Sequence, residues 1–201
     1  HAGGSMSEGV VYDVRDGIAT LRVDNPPVNA LSPAVRLSLN ELIRKADADA
    51  AVRGVIITGT GRTFIAGADI KQINQPRTGP GIGDLLAFIE AMAKPVVAAL
   101  QGTTLGGGFE IAMGCHARVA LAHVSVGLPE TTLGLIPGAG GTQRLPRLIG
   151  AAKALELIVS GKPITAGDAL TLGAIDRVVP AGEEIEVAAR EEIDRLQAAP
   201  M

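Results

Sequence analysis

"LGGGFEIAMG", residues 105–114, sets three consecutive glycines directly before Phe109 and Glu110. Glycine in an ordered segment is entropically expensive, so the run needs a physical reason. An apolar strand-like segment, "PVVAALQG" (95–102), stands before it, and Ile111, Ala112 and Met113 continue after it as a short apolar helix through about Gly114. The glycines therefore fall at a strand-to-helix junction, as the last loop residues and the first helical turn.

The same alternation extends in both directions. Upstream, "VVYDVRDGIATLRV" (10–23) reads as a hairpin about Asp16 and Gly17, residue types that accept the positive φ of a tight turn. Ser32 and Pro33 read as an N-cap and first helical residue, with Val35, Leu39, Leu42 and Ile43 on one face of a helix reaching about Ala48. "VRGVIITG" (52–59) is a buried strand, followed by the glycine- and alanine-rich "FIAGADIK" (64–71), a Pro/Gly-rich loop (76–83) and the helical "IGDLLAFIEAMAK" (82–94). Downstream, strands are expected at 118–122 and 125–129, and helices at 142–149, 151–159, 165–172 and 183–197. Repeated strand, helix and strand define an α/β fold, and no linker, repeat or low-complexity block divides it.

At 201 residues with 47% hydrophobic content, one domain with a substantial core is expected. "HAGGSM" (1–6) reads as a tag remnant, which leaves 7–201 as the domain. A net charge of -3, scattered basic residues and 2% aromatics give no basic stripe or stacking platform, which argues against nucleic acid. The apolar runs are too short for a membrane span and no signal peptide is evident, so a soluble protein of a bacterial-type cytosol is expected, with an organelle matrix as the alternative. A single cysteine, Cys115, excludes an internal disulfide, and no zinc-ligand spacing occurs, so no metal is expected.

The N–H groups of residues 106–108 are among those a helix leaves unpaired at its start, and without a Cβ a ligand can approach them closely. They have the outline of an oxyanion hole, and the glycine cluster after the 52–59 strand can supply the opposing donor. Tight helix–sheet packing is the alternative for each cluster taken singly. Glu110, one turn inside an apolar helix, is drawn toward the interior, and Glu130 lies in the largely apolar "VGLPETTLGLIPGAGG" (126–141). Buried carboxylates are costly unless paired or functional, so the two are candidates for a catalytic acid and base, against a helix-start charge or a solvated loop carboxylate. Asp69 and Lys71 read as surface charges and Cys115 as a small buried side chain. His116 and His123 have no nucleophile motif nearby. "GAGGTQ" (138–143) resembles a phosphate loop superficially but lacks both the G-K-[ST] ending and the G-x-G-x-x-G spacing.

Taken in order, "FIAGADIK", "LQGTTLGGGFEIAMGCHARVA" (100–120), "VGLPETTLGLIPGAGGTQRLPRLIG" (126–150) and "ITAGDALTLGAIDRVV" (164–179) resemble the signature blocks of the enoyl-CoA hydratase/isomerase (crotonase) family. The match is most similar to the N-terminal hydratase part of multifunctional fatty-acid β-oxidation enzymes. The resemblance implies a crotonase-type spiral of repeated β-β-α units, with the C-terminal helices of the family missing. It implies that the N–H groups of Ala68 and Gly107 form the oxyanion hole for an acyl-CoA thioester, that Glu110 and Glu130 hold a water, and that Gly138 helps to position it. Ala66, Gly67, Ala68, Asp69 and Ile70 would line the site for the adenine end of coenzyme A. The implied activity is hydration of a trans-2-enoyl-CoA to a 3-hydroxyacyl-CoA, without a cofactor beyond the coenzyme A of the substrate. The alternatives are a Δ3,Δ2-enoyl-CoA isomerase, and a non-catalytic acyl-CoA-binding domain disabled by truncation. The resemblance also implies a homo-oligomer or membership of a longer chain with a dehydrogenase domain.

Overall fold

The computed structural model describes residues 5–67, 79–180 and 182–198. The chain opens with β1 (Ser5–Ser7), β2 (Val10–Arg15) and β3 (Ile18–Val23), the last two joined where Asp16 and Gly17 take φ of 51° and 74°. In α1 (Pro33–Ala48) the Ser32 hydroxyl caps the first turn by accepting the Val35 N–H at 3.2 Å. Val35, Leu39, Leu42 and Ile43 are buried on one face, as their spacing predicts.

Three turns of a spiral follow, each built from a strand, a second short strand and a helix. They are β4 (Gly54–Gly59), β5 (Thr63–Ile65) and α2 (Ile82–Ala91), then β6 (Val96–Leu100), β7 (Thr103–Leu105) and α3 (Gly107–Gly114), then β8 (Ala117–Leu121), β9 (Ser125–Gly127), a 3₁₀ turn (Pro129–Leu133) and α4 (Gly141–Ile149). The first strand of each turn joins a seven-stranded sheet ordered β1-β2-β3-β4-β6-β8-β11, and the second joins a four-stranded sheet ordered β10-β9-β7-β5. The chain is completed by α5 (Ala151–Ser160), β10 (Ile164–Thr165), α6 (Ala166–Leu172), β11 (Arg177–Val179) and α7 (Ile185–Ala198). From β3 onward the neighbours in the large sheet pair parallel, and β5, β7 and β9 do so in the small one.

Successive side chains of a strand point to opposite faces, and the large sheet uses both. Val55 and Ile57 of β4 and Val96, Ala98 and Leu100 of β6 enter the main core, together with α1, α2 and α3. Ile56, Val97 and Ala99 point the other way into a smaller core closed by Ala188, Ala189 and Ile193 of α7.

Several boundaries differ from the sequence reading for identifiable reasons. The strand expected at 125–129 ends at Gly127, because Pro129 has no N–H to continue a ladder and instead opens the 3₁₀ turn that carries Glu130. The helix expected from 165 starts at Ala166, with Thr165 as its cap accepting the Asp168 N–H at 3.1 Å. The segment 95–102 turns at Gly102, and 103–105 is a separate strand. Gly102 lies so close to the neighbouring backbone that a Cβ there would stand 2.1 Å from the Arg62 carbonyl oxygen.

Ile193 is fully buried between α7 and the sheet. Replacing it with alanine is expected to cost about 2–5 kcal/mol. Urea unfolding followed by circular dichroism should show a lower midpoint with an unchanged slope; an unchanged midpoint would show that α7 does not close the second core.

Candidate active site

The three glycines that start α3 face three different neighbours. Gly106 has φ 54° and donates its N–H to the Gly127 carbonyl at 2.9 Å, and a Cβ there would press on Glu130 Oε1 at 3.0 Å. Gly107 is the first helical residue, so its N–H has no intrahelical acceptor. A Cβ on Gly108 would lie 2.0 Å from the Ile65 carbonyl oxygen, so the first turn of α3 rests directly on β5.

Gly67, with φ 91°, closes against this turn from the preceding unit of the spiral. A Cβ there would stand 3.1 Å from the Gly107 nitrogen. Its carbonyl accepts the Leu31 N–H at 2.8 Å. Nearby, Asn29 Nδ2 donates to the carbonyls of Thr60 at 2.9 Å and Thr63 at 2.7 Å, which ties the 25–31 segment to the β4–β5 connection. Ala66 is half-buried beside Gly67, whereas Ala68, Asp69, Ile70 and Lys71 lie outside the described residues.

Glu110 is 2% exposed, on the first turn of α3. Its Oε1 accepts two backbone N–H groups, from Ala139 at 2.9 Å and Gly141 at 2.8 Å. Between them Gly140 takes a left-handed φ of 97°, and Gly141 is the first residue of α4. Successive N–H groups around a left-handed residue at a helix start form a concave anion site. The "GAGGTQ" segment is thus an anion loop, and its anion is the protein's own carboxylate. Gly138, which the family resemblance implies as a donor to water, is the exposed first residue of this loop.

Burial raises the Glu110 pKa, opposed by the N–H groups of Gly141 and Ala139 and by the charge of Arg144. Glu130 is half-buried at the start of the 3₁₀ turn, and its Oε2 is buried with no partner among the described residues. Its pKa is raised by burial and by the nearby charge of Glu110, against the pull of its own backbone N–H. The structure therefore brings the two carboxylates within electrostatic reach, both biased toward the protonated form, beside the glycine start of α3.

Sequence reasoning missed Ala139 and Gly141, whose backbone donors carry no side-chain signature, and also Arg144. The Arg144 side chain donates through Nη1 to the Ala139 carbonyl at 2.9 Å and through Nε and Nη2 to Glu90 of α2 at 2.7 and 2.8 Å. Cys115 is buried, its thiol is pushed up to about 12 by desolvation, and it donates to the Ile111 carbonyl at 3.3 Å. His116 is committed through Nδ1 to the Val96 N–H at 3.0 Å. Among the described residues, no cluster of three or more His, Cys, Asp or Glu is placed to hold a metal ion, and no helix is long and apolar enough to cross a membrane.

Solved structures share this architecture. The chain aligns with the crystal structure of an enoyl-CoA hydratase from Bacillus anthracis at a TM-score of 0.85 and 36% identity, over 95% of this chain and 77% of that one. The profile of the enoyl-CoA hydratase/isomerase family matches residues 13–201, and the chain belongs to that family, with the crotonase spiral as its fold. It is 50% identical over 177 residues to the peroxisomal bifunctional enzyme of Cavia porcellus, covering 85% of this chain but 24% of that protein. It is 46% identical over 177 residues to a probable enoyl-CoA hydratase of Bacillus subtilis (strain 168), covering 85% of this chain and 68% of the relative. The chain thus spans about a quarter of the length of the bifunctional relative.

The raised carboxyl of Glu110 bears on stability. A carboxyl whose folded pKa lies above its ordinary value of 4.5 destabilises the fold once ionised, fully above the folded pKa and not at all below the ordinary value. Glu110→Gln keeps an oxygen for both N–H donors and removes the charge. It is expected to melt above the parent at pH 7, with the gap closing as the pH falls through the raised folded pKa and gone below the ordinary 4.5. A lower melting temperature at pH 7 would refute the buried-charge account.

Proposed function

We propose that this domain is an enoyl-CoA hydratase, adding water to a trans-2-enoyl-CoA to give a 3-hydroxyacyl-CoA in fatty-acid β-oxidation. The observation that carries the reading is the pair of carboxylates, Glu110 and Glu130, brought together at the start of α3, where the Gly107 N–H has no intrahelical acceptor.

In this reading the thioester oxygen lies against the N–H of Gly107, with that of Ala68 as the opposing donor. Negative charge grows on this oxygen as the β-carbon is attacked, so donors that fit the enolate-like transition state lower the barrier. The N–H pair of Ala139 and Gly141 holds Glu110 Oε1, leaving its second oxygen to take a proton from water. Glu130, whose buried Oε2 lacks a partner among the described residues and whose proton is favoured by the neighbouring charge, delivers a proton to the α-carbon. One C–O bond and one C–H bond form, the C=C π bond is lost, and water supplies both the hydroxyl and, by way of the carboxylates, the proton. Gly138 is the proposed further donor to that water, and residues 66–70 the lining for the adenine end of coenzyme A. The reaction calls on no metal or redox cofactor. By analogy with the bifunctional relative the domain would serve in a longer multifunctional chain, in an organelle matrix or, as in the bacterial relative, a bacterial-type cytosol; a homo-oligomer is the alternative assembly.

The unpartnered Glu130 oxygen also suits a Δ3,Δ2-isomerase, in which one glutamate shuttles the proton. The loss of ultraviolet absorbance from a short trans-2-enoyl-CoA separates the readings. Hydration should be fast in the parent, and Glu110→Ala and Glu130→Ala should each lower kcat by roughly 10²–10⁴-fold. Migration of the double bond of a 3-enoyl-CoA that survives Glu110→Ala would favour the isomerase. Thioester binding without any turnover would leave a non-catalytic module.

A further inference from the structure

The geometry points to the Glu90–Arg144 ion pair as a positioning clamp for Glu110, acting through the 137–141 loop; the kinetic part of this inference rests on the hydratase reading.

Arg144 sits on the first turn of α4 and reaches in two directions. Its Nε and Nη2 engage Glu90 Oε1 and Oε2 at 2.7 and 2.8 Å, a fork-to-fork pair that fixes the guanidinium plane. Its Nη1 donates at 2.9 Å to the carbonyl of Ala139. The N–H of the same residue donates at 2.9 Å to Glu110 Oε1. Ala139 is therefore held from two sides, by the guanidinium at its carbonyl and by the carboxylate at its N–H, with the left-handed Gly140 beside it. Three helices meet in this chain of contacts: Glu90 lies in the last turn of α2, Glu110 on α3 and Arg144 on α4.

An ordinary surface ion pair of this exposure contributes little to stability. Glu90 is 47% exposed and Arg144 18% exposed, so the pair is partly screened, and its value lies in direction rather than energy. A guanidinium can serve both Glu90 oxygens and the Ala139 carbonyl at once, whereas one lysine ammonium cannot span the same three acceptors in the same plane. The charges that face the two ends are few among the described residues. Arg147 and His116 act on Glu90, whose pKa is lowered first by its bond to Arg144. Arg144 acts on Glu110, and Glu110 in turn acts on Glu130. Without the clamp the loop loses its anchor, the N–H donors leave Oε1, and burial is opposed only by the charge at position 144, so the Glu110 pKa rises further. Less of the base is ionised at neutral pH, while Gly107 and Gly67, which lie on other elements, keep their places.

The test uses Arg144→Lys and the milder Glu90→Gln. Backbone amide exchange by NMR should be at least about tenfold faster at Ala139 and Gly141 in both variants, with β4 amides unchanged. Hydration of a short trans-2-enoyl-CoA should show kcat reduced roughly 10- to 100-fold, KM nearly unchanged, and the acidic limb of the kcat profile moved to higher pH. Unchanged exchange at the two amides, or a loss that falls on KM alone, would overturn the clamp. Faster exchange throughout β4 would equally overturn it, in favour of a general structural role. If the parent shows no hydration, the hydratase reading fails, and the exchange comparison still decides the clamp by itself.

Discussion

The burial of Glu110 against the N–H groups of Ala139 and Gly141 is the contact on which the other features of the site depend. A carboxylate with 2% exposure would be untenable without donors, and a helix start aimed at it supplies both hydrogen bonds and a favourable dipole. The contact is possible because the spiral repeats. Each turn sets a helix behind a short strand, so α3 from one turn faces the start of α4 from the next. The sheet order β4-β6-β8 and its companion β5-β7-β9 give that repeat its regular step.

The two carboxylates have the same chemistry and different surroundings. Glu110 is satisfied at one oxygen, close to the charge of Arg144, and firmly placed. Glu130 has a buried oxygen without a partner among the described residues, and the charge it feels is that of Glu110. In the proposed hydratase, divergent environments of this kind would set one acidic group to accept and the other to donate a proton. Burial, which the two share, explains why neither group stabilises the fold by being ionised. Both carboxyls, once ionised, therefore cost the fold stability.

Much of this was legible in sequence, for physical reasons. The long elements carry a clear period: α1 shows its buried face in Val35, Leu39, Leu42 and Ile43, and β4 is buried along its whole length. The glycine run and the apolar company of Glu110 announced a strand-to-helix junction with a buried acid, and the structure has both. Of the second sheet only β9 was legible, within the strand read at 125–129; β5, β7 and β10 were not, being two or three residues long, too short to show alternation. Nor were the partners of Glu110, since Ala139 and Gly141 act through backbone N–H groups that no side chain advertises. Arg144 and Glu90 are 54 residues apart, and nothing local links them. The "GAGGTQ" segment lacks the spacing of a nucleotide loop; its concave geometry serves an internal anion, which motif spacing alone does not distinguish.

The three glycines ahead of Phe109 are not interchangeable. At Gly106 a side chain would meet Glu130, at Gly107 it would press on Leu31, Ile82 and Gly67, and at Gly108 it would strike the backbone of β5. The first glycine leaves room for a carboxylate, the second lets two turns of the spiral close on each other, and the third lets the helix lie on the sheet. Phe109 then turns inward to the main core, and Glu110 follows it one residue on, at the point where the next turn offers its N–H groups. The order of residues 106–110 is thus the order in which the helix start passes Glu130, the preceding turn, the small sheet, the core and the following turn. Chain geometry sets that succession, and it explains why bare backbone has to come immediately before the acid.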